Sequence, residues 1–394
     1  MLVTLTLLAI FSSTTVIRAD SNSARIKMNK SQWETGRILE LDGLKVVLSK
    51  PVLVCRSKNF LWFPTLGKLS NGDIVAVMSL TADDFFSTTI SAACRSSNGG
   101  LTWSEPRVLA DGGEVFFQME SGDTMLVPYL LRPKEGGIGA PYNIFAPGGL
   151  ENIKYVKLGI TVSGLPKPYK CIPPGVSSFV FNGQIIQLKS DKYLGTLYGT
   201  FENDTQYSLL AAETSDGINW TIFSIIADYR CGIPMEGCEG PCESAVCRLP
   251  DGRIMCIFRI ASGRPYGQTW SDDEGKTWAK PVEMKGVFSV QPSIVVLEKQ
   301  VVAISGGRPG IFLWLNSDGK ATNWTRIDIL SHHNACVPEE PIVHSSCYTE
   351  IVPLDGNRLL YIYDNLPNGW HPIPDASDKT NSVWVVCVTV EKTR

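Results

Sequence analysis

Hydrophobic residues along the chain fall into short runs, and small polar, glycine-containing turns separate these runs. Helical periodicity is nearly absent, whereas alternating or continuously apolar runs of strand length recur throughout. Several segments share one design, which is a strand, a tight turn and a second strand. They begin at Leu69, Met119 (a looser copy), Leu188, Leu249, Leu297 and Leu354. The pattern predicts an all-β protein built from antiparallel hairpins.

The spacing of these hairpins predicts the architecture. Successive copies start about 50 to 70 residues apart, which leaves room for several strands in each unit. Repeated units of this kind are typical of a β-propeller, and six hairpins predict a six-bladed β-propeller over residues 51–394. Residues 20–50 are expected to form a lead-in whose "LKVVLS" segment pairs with the final strand "VWVVCVTV" and closes the ring.

The first 19 residues differ from the rest. An apolar stretch from Leu2 to Phe11 is followed by small residues and Ala19, which predicts a cleaved secretory signal over residues 1–19. No later apolar run is long enough to span a bilayer, so we expect a secreted, extracellular protein without membrane insertion. The formal net charge of −3 gives no support to nucleic-acid binding.

Sequons and cysteines agree with an oxidising, extracellular compartment. The chain has 11 cysteines, which we expect to form disulfides, with at least one thiol left over. A zinc site at Cys238, Cys242 and Cys247 is the alternative, but the spacings match no established metal pattern. N-glycans are possible on four asparagines, Asn29, Asn203, Asn219 and Asn323.

A second repeat is a polar turn that ends in tryptophan. It reads "SDDEGKTW" from Ser271 and "SSNGGLTW" from Ser96. In the first copy Asp273 can accept turn N–H groups, Gly275 supplies a positive φ, and Trp278 is expected to tuck beneath the turn. Weaker copies end at Trp220 and Trp324. The turn therefore predicts a structural staple rather than a catalytic aspartate.

Candidate site residues follow from the hairpin symmetry, because residues at equal distance from a turn face each other. Before the turns lie Phe63, Asn182, Glu243, Gln291 and Tyr348. After the turns lie Ser79, Tyr198, Arg259, Arg308 and Asp364. In a propeller these positions ring the mouth of the central channel, and polar groups at such a hollow indicate a ligand site. The alternative is a solvated rim, or Glu–Arg pairs that offset each other's burial.

The tryptophan turns resemble the Asp-box, or bacterial neuraminidase repeat, of the sialidase superfamily. The resemblance covers the chain from about Pro51 to its end. Glu243 and Arg259 in "ESAVCRLPDGRIMCIFR", Arg308 in "SGGRPGIFLW" and Tyr348 in "CYTEIV" are similar to the family's site residues. Non-enzymes also carry the repeat, so by itself it indicates a fold and not a chemistry.

The resemblance implies a mechanism. Tyr348 would be the nucleophile, and Glu243 would take its proton. Arg259 and Arg308 would bind a sugar carboxylate through charge-assisted hydrogen bonds. An aspartate in "TADDFF" would act as acid and base; the spacing favours Asp84 over Asp83. Further substrate contacts are expected from Gln291, Trp62 and Asp364.

One position departs from the family. The first of three carboxylate-binding arginines stands there in an Arg-Ile-Pro motif, whereas this chain has "FLWFPTL" with Trp62 and Phe63 before Pro64. Arg56 is near in sequence but out of register. The substrate could therefore be sialic acid, another acidic sugar or a neutral sugar, with Trp62 stacking on a ring face.

A histidine pair and a second glutamate are further candidates for a functional role. His332 and His333 are expected on a loop of the last blade, and since neighbouring side chains on an extended chain face opposite ways, a two-histidine metal site is not expected. Glu350 shares a strand face with Tyr348 and is an alternative partner for it. No phosphate-binding loop is present, and no cofactor or metal ion is expected.

Together these observations predict a secreted retaining exo-glycosidase of the sialidase type, acting on a terminal, acidic sugar of a glycoconjugate. The alternatives are a carbohydrate-binding or matrix propeller without turnover, and an exo-acting enzyme for a different sugar.

Overall fold

The computed structural model describes most of the chain after the N-terminal segment. The described residues are 33–41, 43–58, 61–83, 90–110, 115–119, 121–127, 129–134, 137–139, 141–145, 153–157, 159–163, 165, 179–201, 204–370 and 379–393. The expected signal segment, residues 1–19, lies outside them, and so do Asn29 and Asn203.

Strands dominate the described part of the chain. The first are β1 (Thr35–Leu41), β2 (Leu44–Ser49), β3 (Val52–Ser57), β4 (Trp62–Lys68), β5 (Ile74–Ser79), β6 (Ile90–Ser96), β7 (Arg107–Ala110), β8 (Val115–Gln118), β9 (Thr124–Val127), β10 (Leu130–Lys134), β11 (Gly137–Gly139), β12 (Pro141–Phe145), β13 (Ile153–Lys157), β14 (Gly159–Val162) and β15 (Phe179–Phe181). The others are β16 (Ile186–Gln187), β17 (Tyr193–Gly199), β18 (Ser208–Thr214), β19 (Asn219–Ala227), β20 (Cys242–Arg248), β21 (Ile254–Arg259), β22 (Pro265–Ser271), β23 (Val282–Phe288), β24 (Ser293–Leu297), β25 (Val301–Gly307), β26 (Ile311–Asn316), β27 (Thr325–Asp328), β28 (Glu350–Asp355), β29 (Arg358–Asn365) and β30 (Asn381–Lys392). A 3-10 turn covers Glu298–Gln300, and one helix, α1, covers Ile329–Cys336.

The strands form the sheets of a β-propeller, which confirms the all-β prediction. Four sheets have four strands each, in the orders β4-β5-β6-β7, β13-β12-β9-β8, β20-β21-β22-β23 and β24-β25-β26-β27. An eight-stranded sheet has the order β11-β10-β15-β17-β18-β19-β14, with β16 beside β17. A six-stranded sheet has the order β1-β2-β30-β29-β28, with β3 beside β30.

The prediction of six blades is wrong, because the structure has five. Five sheets carry the repeat that opens on a leucine and form these blades, of which two have added strands. The looser Met119 hairpin lies in the sheet β13-β12-β9-β8, which is irregular because the chain leaves it after β9, adds β10 and β11 to the neighbouring sheet, and only then returns as β12. Five blades and this irregular sheet therefore replace the predicted six blades, since period counting does not detect inserted strands.

The ends of the described chain meet in one sheet. Strand β2 pairs antiparallel with β30, with Val46 opposite Val390, and β30 also pairs with β29. This is the closure predicted from "LKVVLS" and "VWVVCVTV". It gives the last blade a strand from the start of the chain and removes an open sheet edge.

The core lies between neighbouring sheets. One cluster joins Leu194 and Leu209 of the eight-stranded sheet to Ile254 and Phe258 of the next blade, and all four side chains are buried. Each buried side chain of this size contributes about 1.5–3 kcal/mol relative to an exposed one. Packing between blades therefore keeps the inner strands, and the site residues at their ends, in fixed positions.

The tryptophan turns adopt the predicted staple. The carboxylate of Asp273 accepts a hydrogen bond from the Thr277 N–H at 2.9 Å, and the Gly275 N–H donates to Ser271 Oγ at 2.8 Å. Gly275 has a φ of 84°. The Trp278 indole N–H donates to the Gly275 carbonyl at 3.0 Å. Equivalent indole bonds are made by Trp103 and Trp220.

The histidine pair does not lie on a loop, as the sequence suggested, but on helix α1, and both rings are buried. The side chain of Asp328 caps this helix by accepting from the Ser331 N–H. His332 Nε2 lies 2.8 Å from the Ser49 carbonyl, and His333 Nδ1 lies 2.8 Å from the Tyr363 hydroxyl. Both rings therefore have structural partners.

The described cysteines are free thiols, so the disulfide prediction is not confirmed. Ten of the eleven are described, and Cys238, Cys242 and Cys247 are among them. Within the described ranges no three metal-ligating side chains of His, Cys, Asp or Glu form a cluster. The sequon residues Asn219 and Asn323 are exposed. No helix in this part of the chain is long and apolar enough to cross a membrane.

Candidate functional site

A tyrosine, a glutamate and an arginine from two different blades meet at the mouth of the ring. Tyr348 immediately precedes the last blade, whereas Glu243 and Arg259 belong to β20 and β21. The Tyr348 hydroxyl donates to Glu243 Oε1 at 2.6 Å. Arg259 Nη1 donates to the same oxygen at 2.8 Å and lies 3.3 Å from the Tyr348 hydroxyl. The chain thus brings together residues that are far apart in sequence.

A β-bulge brings Glu243 beside Arg259. In the β20–β21 ladder Cys242 pairs with Arg259 and Ser244 pairs with Phe258, so Glu243 is the extra residue. Its φ of 23° lies outside the ordinary strand region. The bulge turns the Glu243 side chain to the ring axis, whereas regular pleating would send it into a sheet face. Strained backbone of this kind concentrates at functional sites.

The three groups are buried together, which controls their charges. Burial and the nearby Glu243 carboxylate raise the pKa of Tyr348 well above its usual value, against the lowering effect of Arg259. Burial by itself would lower the pKa of Arg259, but Glu243 and Tyr348 outweigh it and raise that pKa. At neutral pH the tyrosine is therefore a neutral hydroxyl and the arginine a cation.

Two polar atoms of this group lack partners among the described residues. They are Glu243 Oε2 and Arg259 Nε, and both are buried. Buried polar groups are nearly always hydrogen-bonded in native proteins, so exceptions often mark a functional site. Each of these two atoms therefore has hydrogen-bonding capacity that the described residues do not use.

The second arginine contacts the other side of the tyrosine. The Arg308 guanidinium lies 5.2 Å from the centre of the Tyr348 ring, within cation–π distance. Its Nη2 donates to the Ser346 carbonyl at 2.6 Å. Ser262 lies between the two arginines, at 3.1 Å from Arg259 Nη2 and 3.5 Å from Arg308 Nη1. Arg259 and Arg308 therefore lie near one another, with Ser262 and Tyr348 in contact with both.

An aromatic group covers the tyrosine. The Phe63 ring lies 3.5 Å from the Tyr348 ring, centre to centre, and the Trp62 ring packs edge-on against Phe63 at 4.6 Å. The Trp62 indole N–H donates to the Thr81 carbonyl at 2.5 Å. The sequence assigned a stacking role to Trp62, but Phe63 is the residue that lies on Tyr348. The sequence placed Phe63 among the positions at the mouth of the channel but assigned it no contact.

A second glutamate holds the outer edge of Arg259. Glu239 Oε2 lies 3.0 Å from Arg259 Nη2, and the Glu239 side chain is 51% exposed compared with 9% for Arg259. Sequence reasoning missed this residue. It belongs to the cysteine-rich segment between β19 and β20, outside the hairpin repeats, so no symmetry pointed to it.

Asp364, which the sequence assigned as a substrate contact, is fully buried among backbone and side-chain donors. Its side chain is buried and accepts hydrogen bonds from Ser345 Oγ at 2.6 Å, the Ser346 N–H at 2.9 Å and Ser346 Oγ. Burial raises the pKa of Asp364 to about 6, although these donors act in the opposite direction. Asp364 fixes the segment that carries Tyr348.

Gln291 and Glu350 lie deeper along the ring axis. Gln291 Oε1 accepts from Asn182 Nδ2 at 2.8 Å. Glu350 accepts from Ser293 Oγ, so it is not the partner of Tyr348. Both line a cavity of about 580 Å³ that includes neither Tyr348 nor Glu243. Burial raises the pKa of Glu350 to about 8.

The acid/base candidates are Asp84 and its neighbour Asp83. Asp84 lies outside the described residues. Its neighbour Asp83 is exposed, and its N–H donates to the Trp370 carbonyl at 2.8 Å.

Comparison with known proteins supports the fold. No protein-family model matches the chain, and no curated protein matches it in sequence. Similar solved structures include a protein of unknown function from Dyadobacter fermentans, with 17% identity, a TM-score of 0.62, and coverage of 89% of this chain and 100% of that one.

Two glycoside hydrolases are also similar in structure. A sialidase of Streptococcus pneumoniae has 16% identity and a TM-score of 0.54, and the match covers 86% of this chain and 70% of the sialidase. An α-L-arabinofuranosidase of Fusarium graminearum has 15% identity and a TM-score of 0.56, with coverage of 87% and 97%. At these identities the similarity shows a shared propeller fold.

Proposed function

We propose that the protein is a retaining exo-acting glycoside hydrolase in which Tyr348 is the nucleophile and Glu243 is its base. The observation that carries this proposal is the 2.6 Å hydrogen bond from the Tyr348 hydroxyl to the buried Glu243 carboxylate. A tyrosine hydroxyl is a weak nucleophile, and a base within hydrogen-bond distance is the arrangement that activates it.

The reaction proceeds in two steps. In the first, Tyr348 Oη attacks the anomeric carbon, Glu243 takes the hydroxyl proton, and the bond to the leaving oxygen breaks as an acid protonates that oxygen. In the second, water attacks the anomeric carbon of the glycosyl-tyrosine and gives a proton to the carboxylate that the acid became in the first step. The bond to Tyr348 Oη breaks, and Glu243 returns its proton to the phenolate. Arg259, which touches both Glu243 Oε1 and the Tyr348 hydroxyl, stabilises the negative charge on either oxygen.

The acid is proposed to be Asp84, with Asp83 as the alternative. Both lie after β5, the second inner strand of the blade that also carries Phe63. A carboxyl group there would protonate the leaving oxygen and later activate water.

The structural neighbours support a carbohydrate ligand, because a sialidase and an α-L-arabinofuranosidase share this fold. Those two proteins act on sugars of different charge, so the neighbours do not decide between an acidic and a neutral substrate. The choice between an acidic and a neutral substrate depends on the residues around Arg259. We also propose that the protein is secreted and N-glycosylated, from its N-terminal segment and sequons.

A carbohydrate-binding protein without turnover is the second candidate. One observation favours it: the Phe63 ring lies on Tyr348, whose residual exposure is 7%. A binding module needs no access to the tyrosine hydroxyl, whereas an enzyme needs Phe63 to give way.

Hydrolysis of fluorogenic glycosides tests the proposal. Methylumbelliferyl sialosides, arabinofuranosides, galactosides and glucuronides are offered to the wild-type protein, Tyr348→Phe and Glu243→Gln. We expect one glycoside to be hydrolysed, and we expect each substitution to reduce kcat at least a hundredfold. Turnover that survives Tyr348→Phe would contradict the nucleophile assignment, and sugar binding without any turnover would support the second candidate.

A further inference from the structure

Glu239 makes a two-oxygen contact with the outer edge of the site arginine. Its Oε2 and Oε1 atoms lie 3.0 Å and 3.2 Å from Arg259 Nη2. This is where an incoming carboxylate would meet Arg259, because the inner edge of the guanidinium already faces Glu243 and Tyr348. An internal carboxylate thus occupies the position that an acidic ligand would need.

The segment before β20 is built to hold Glu239 there. The Glu239 carbonyl accepts from the Tyr207 N–H at 2.8 Å. Gln206 Nε2 donates to the carbonyls of Met235 at 2.6 Å and Cys238 at 3.1 Å. The backbone position of Glu239 is therefore fixed by residues of the neighbouring blade, although its side chain is half-exposed.

Gly240 shows how closely this segment approaches that blade. Its φ is 95°, and a Cβ atom there would lie 2.7 Å from the Tyr207 nitrogen, which no side chain can accommodate. A glycine is required at this point for both reasons. The backbone next to Glu239 is therefore restricted to one conformation. This conformation places the Glu239 carboxylate beside Arg259.

Arg259 has no accessible donor left for a ligand. Nη1 contacts Glu243 and Tyr348, Nη2 contacts Glu239 and Ser262, and Nε is buried. A ligand carboxylate could bind Arg259 only by displacing Glu239. Its attraction to Arg259 would have to exceed that of the Glu239 carboxylate, which the backbone already holds beside the guanidinium.

The charge balance of the pocket points the same way. Glu239 and Glu243 are two formal negative charges, and Arg259 and Arg308 are two formal positive charges. A ligand carboxylate would add a third anion to a partly buried group that is already balanced, and burial of an uncompensated charge is costly. A neutral sugar leaves the balance unchanged.

We propose that Glu239 is a specificity-determining residue that selects a sugar without a carboxylate at the reacting ring, by occupying the outer edge of Arg259. The proposal rests on the proposed function in one respect, namely that this pocket binds the sugar. Phe63 agrees with it, since an apolar ring lies on Tyr348 where a further cationic group would serve an acidic ligand.

This assignment also gives a reason for a tyrosine nucleophile with a neutral substrate. A neutral nucleophile avoids repulsion from a carboxylate close to the reacting carbon. Here Glu239 and Glu243 supply that negative charge from the protein, so a third carboxylate as nucleophile would be disfavoured even if the ligand has none.

Binding of matched sugar pairs tests the proposal. Galactose is compared with galacturonate, and sialic acid methyl ester with sialic acid, in NMR titrations of the wild-type protein and Glu239→Gln. We expect the wild-type protein to bind at least one neutral member more tightly than its acid. We expect Glu239→Gln to increase affinity for at least one acid tenfold or more, with the neutral members changed less than threefold.

Glu236→Gln is the matched control, because Glu236 lies on the same segment and is exposed. The side chains that contact Arg259 are those of Glu243, Tyr348, Glu239 and Ser262. Glu236→Gln should reproduce the wild-type affinities. If Glu239→Gln unfolds, Glu239→Ala, which also removes the carboxylate, should show the same gain. The proposal is overturned if the wild-type protein binds both acids more tightly than their neutral partners, or if no Glu239 variant gains affinity for either acid.

The failure of this inference can be told apart from failure of the proposed function. A wild-type protein that hydrolyses a sialoside through Tyr348 would retain the function and refute the role of Glu239. A protein that hydrolyses nothing, yet gains acid affinity when Glu239 is replaced, would retain the role of Glu239 and refute the enzyme.

Discussion

Phe63 and Glu243 occupy the same place in two different blades, six residues before the leucine of the repeat, and both have a positive φ in a β-bulge. One bulge presents an aromatic ring to Tyr348, and the other presents a carboxylate. The repeat thus supplies a β-bulge that points a side chain at the ring axis. The residue at this bulge differs between the two blades.

Removal of the Phe63 ring should expose the tyrosine. Because burial is the largest cause of the raised pKa of Tyr348, Phe63→Ala should lower that pKa towards its usual value. Ultraviolet difference titration measures it, with Tyr348→Phe and the double variant as references that isolate this phenol. An unchanged titration of Tyr348 in Phe63→Ala would show that the ring is not what buries it.

The buried pair of Arg259 and Glu243 should show strong coupling. Arg259→Met leaves a buried carboxylate without its cation and should lower the free energy of unfolding by about 3–5 kcal/mol. Glu243→Gln in the same chain should recover much of that loss, because the uncompensated charge is then gone.

Urea denaturation of the two single variants and the double variant gives the coupling energy for this pair. Losses that simply add would argue that the contact is incidental.

Stability should depend on pH through Glu350. Its pKa is about 8 in the folded protein against a usual value of 4.5, so the folded protein holds a proton that the unfolded chain releases. The contribution of the protonated group is present below pH 4.5 and is lost as the pH rises through 8. The shift corresponds to a few kcal/mol at most.

Glu350→Gln imitates the protonated acid at every pH, so its stability relative to the wild-type protein should increase from pH 5 to pH 8. Thermal unfolding at these two pH values measures the difference, and Glu236→Gln is an exposed control. A difference between Glu350→Gln and the wild-type protein that does not vary with pH would refute the burial of a protonated carboxyl.

The tryptophan turn contains two adjacent aspartates, Asp272 and Asp273. We expect Asp273 to stabilise the folded protein and Asp272 to have little effect. Asp273 accepts from the Thr277 N–H and hydroxyl, so Asp273→Ala should lower the free energy of unfolding by about 1–3 kcal/mol. Asp272→Ala, at an exposed neighbour, should change it by less than about 0.5 kcal/mol. Equal losses would mean that the acceptor role of Asp273 is unimportant, and catalytic turnover should be unaffected by both.

Much of the site could be predicted from the sequence because a hairpin fixes which residues face each other. Glu243 and Arg259 bracket one turn, and the structure pairs their strands as expected. Arg308 and Tyr348 were located in the same way in other blades. Trp62 and Asp364 were predicted as substrate contacts, but the sequence did not show that their polar atoms bond to Thr81 and to Ser345 and Ser346.

The sequence alone determined the class of fold, because strand periodicity and a repeated turn are local properties that survive without knowledge of distant contacts. It also determined that Glu243, Arg259, Arg308 and Tyr348 lie at one end of their hairpins. Only the tertiary structure decided that Phe63 covers Tyr348 and that Glu239 closes the outer edge of Arg259. Both contacts arise because blades pack against each other and against an irregular segment. Packing between segments that are distant in sequence leaves no local pattern in the sequence.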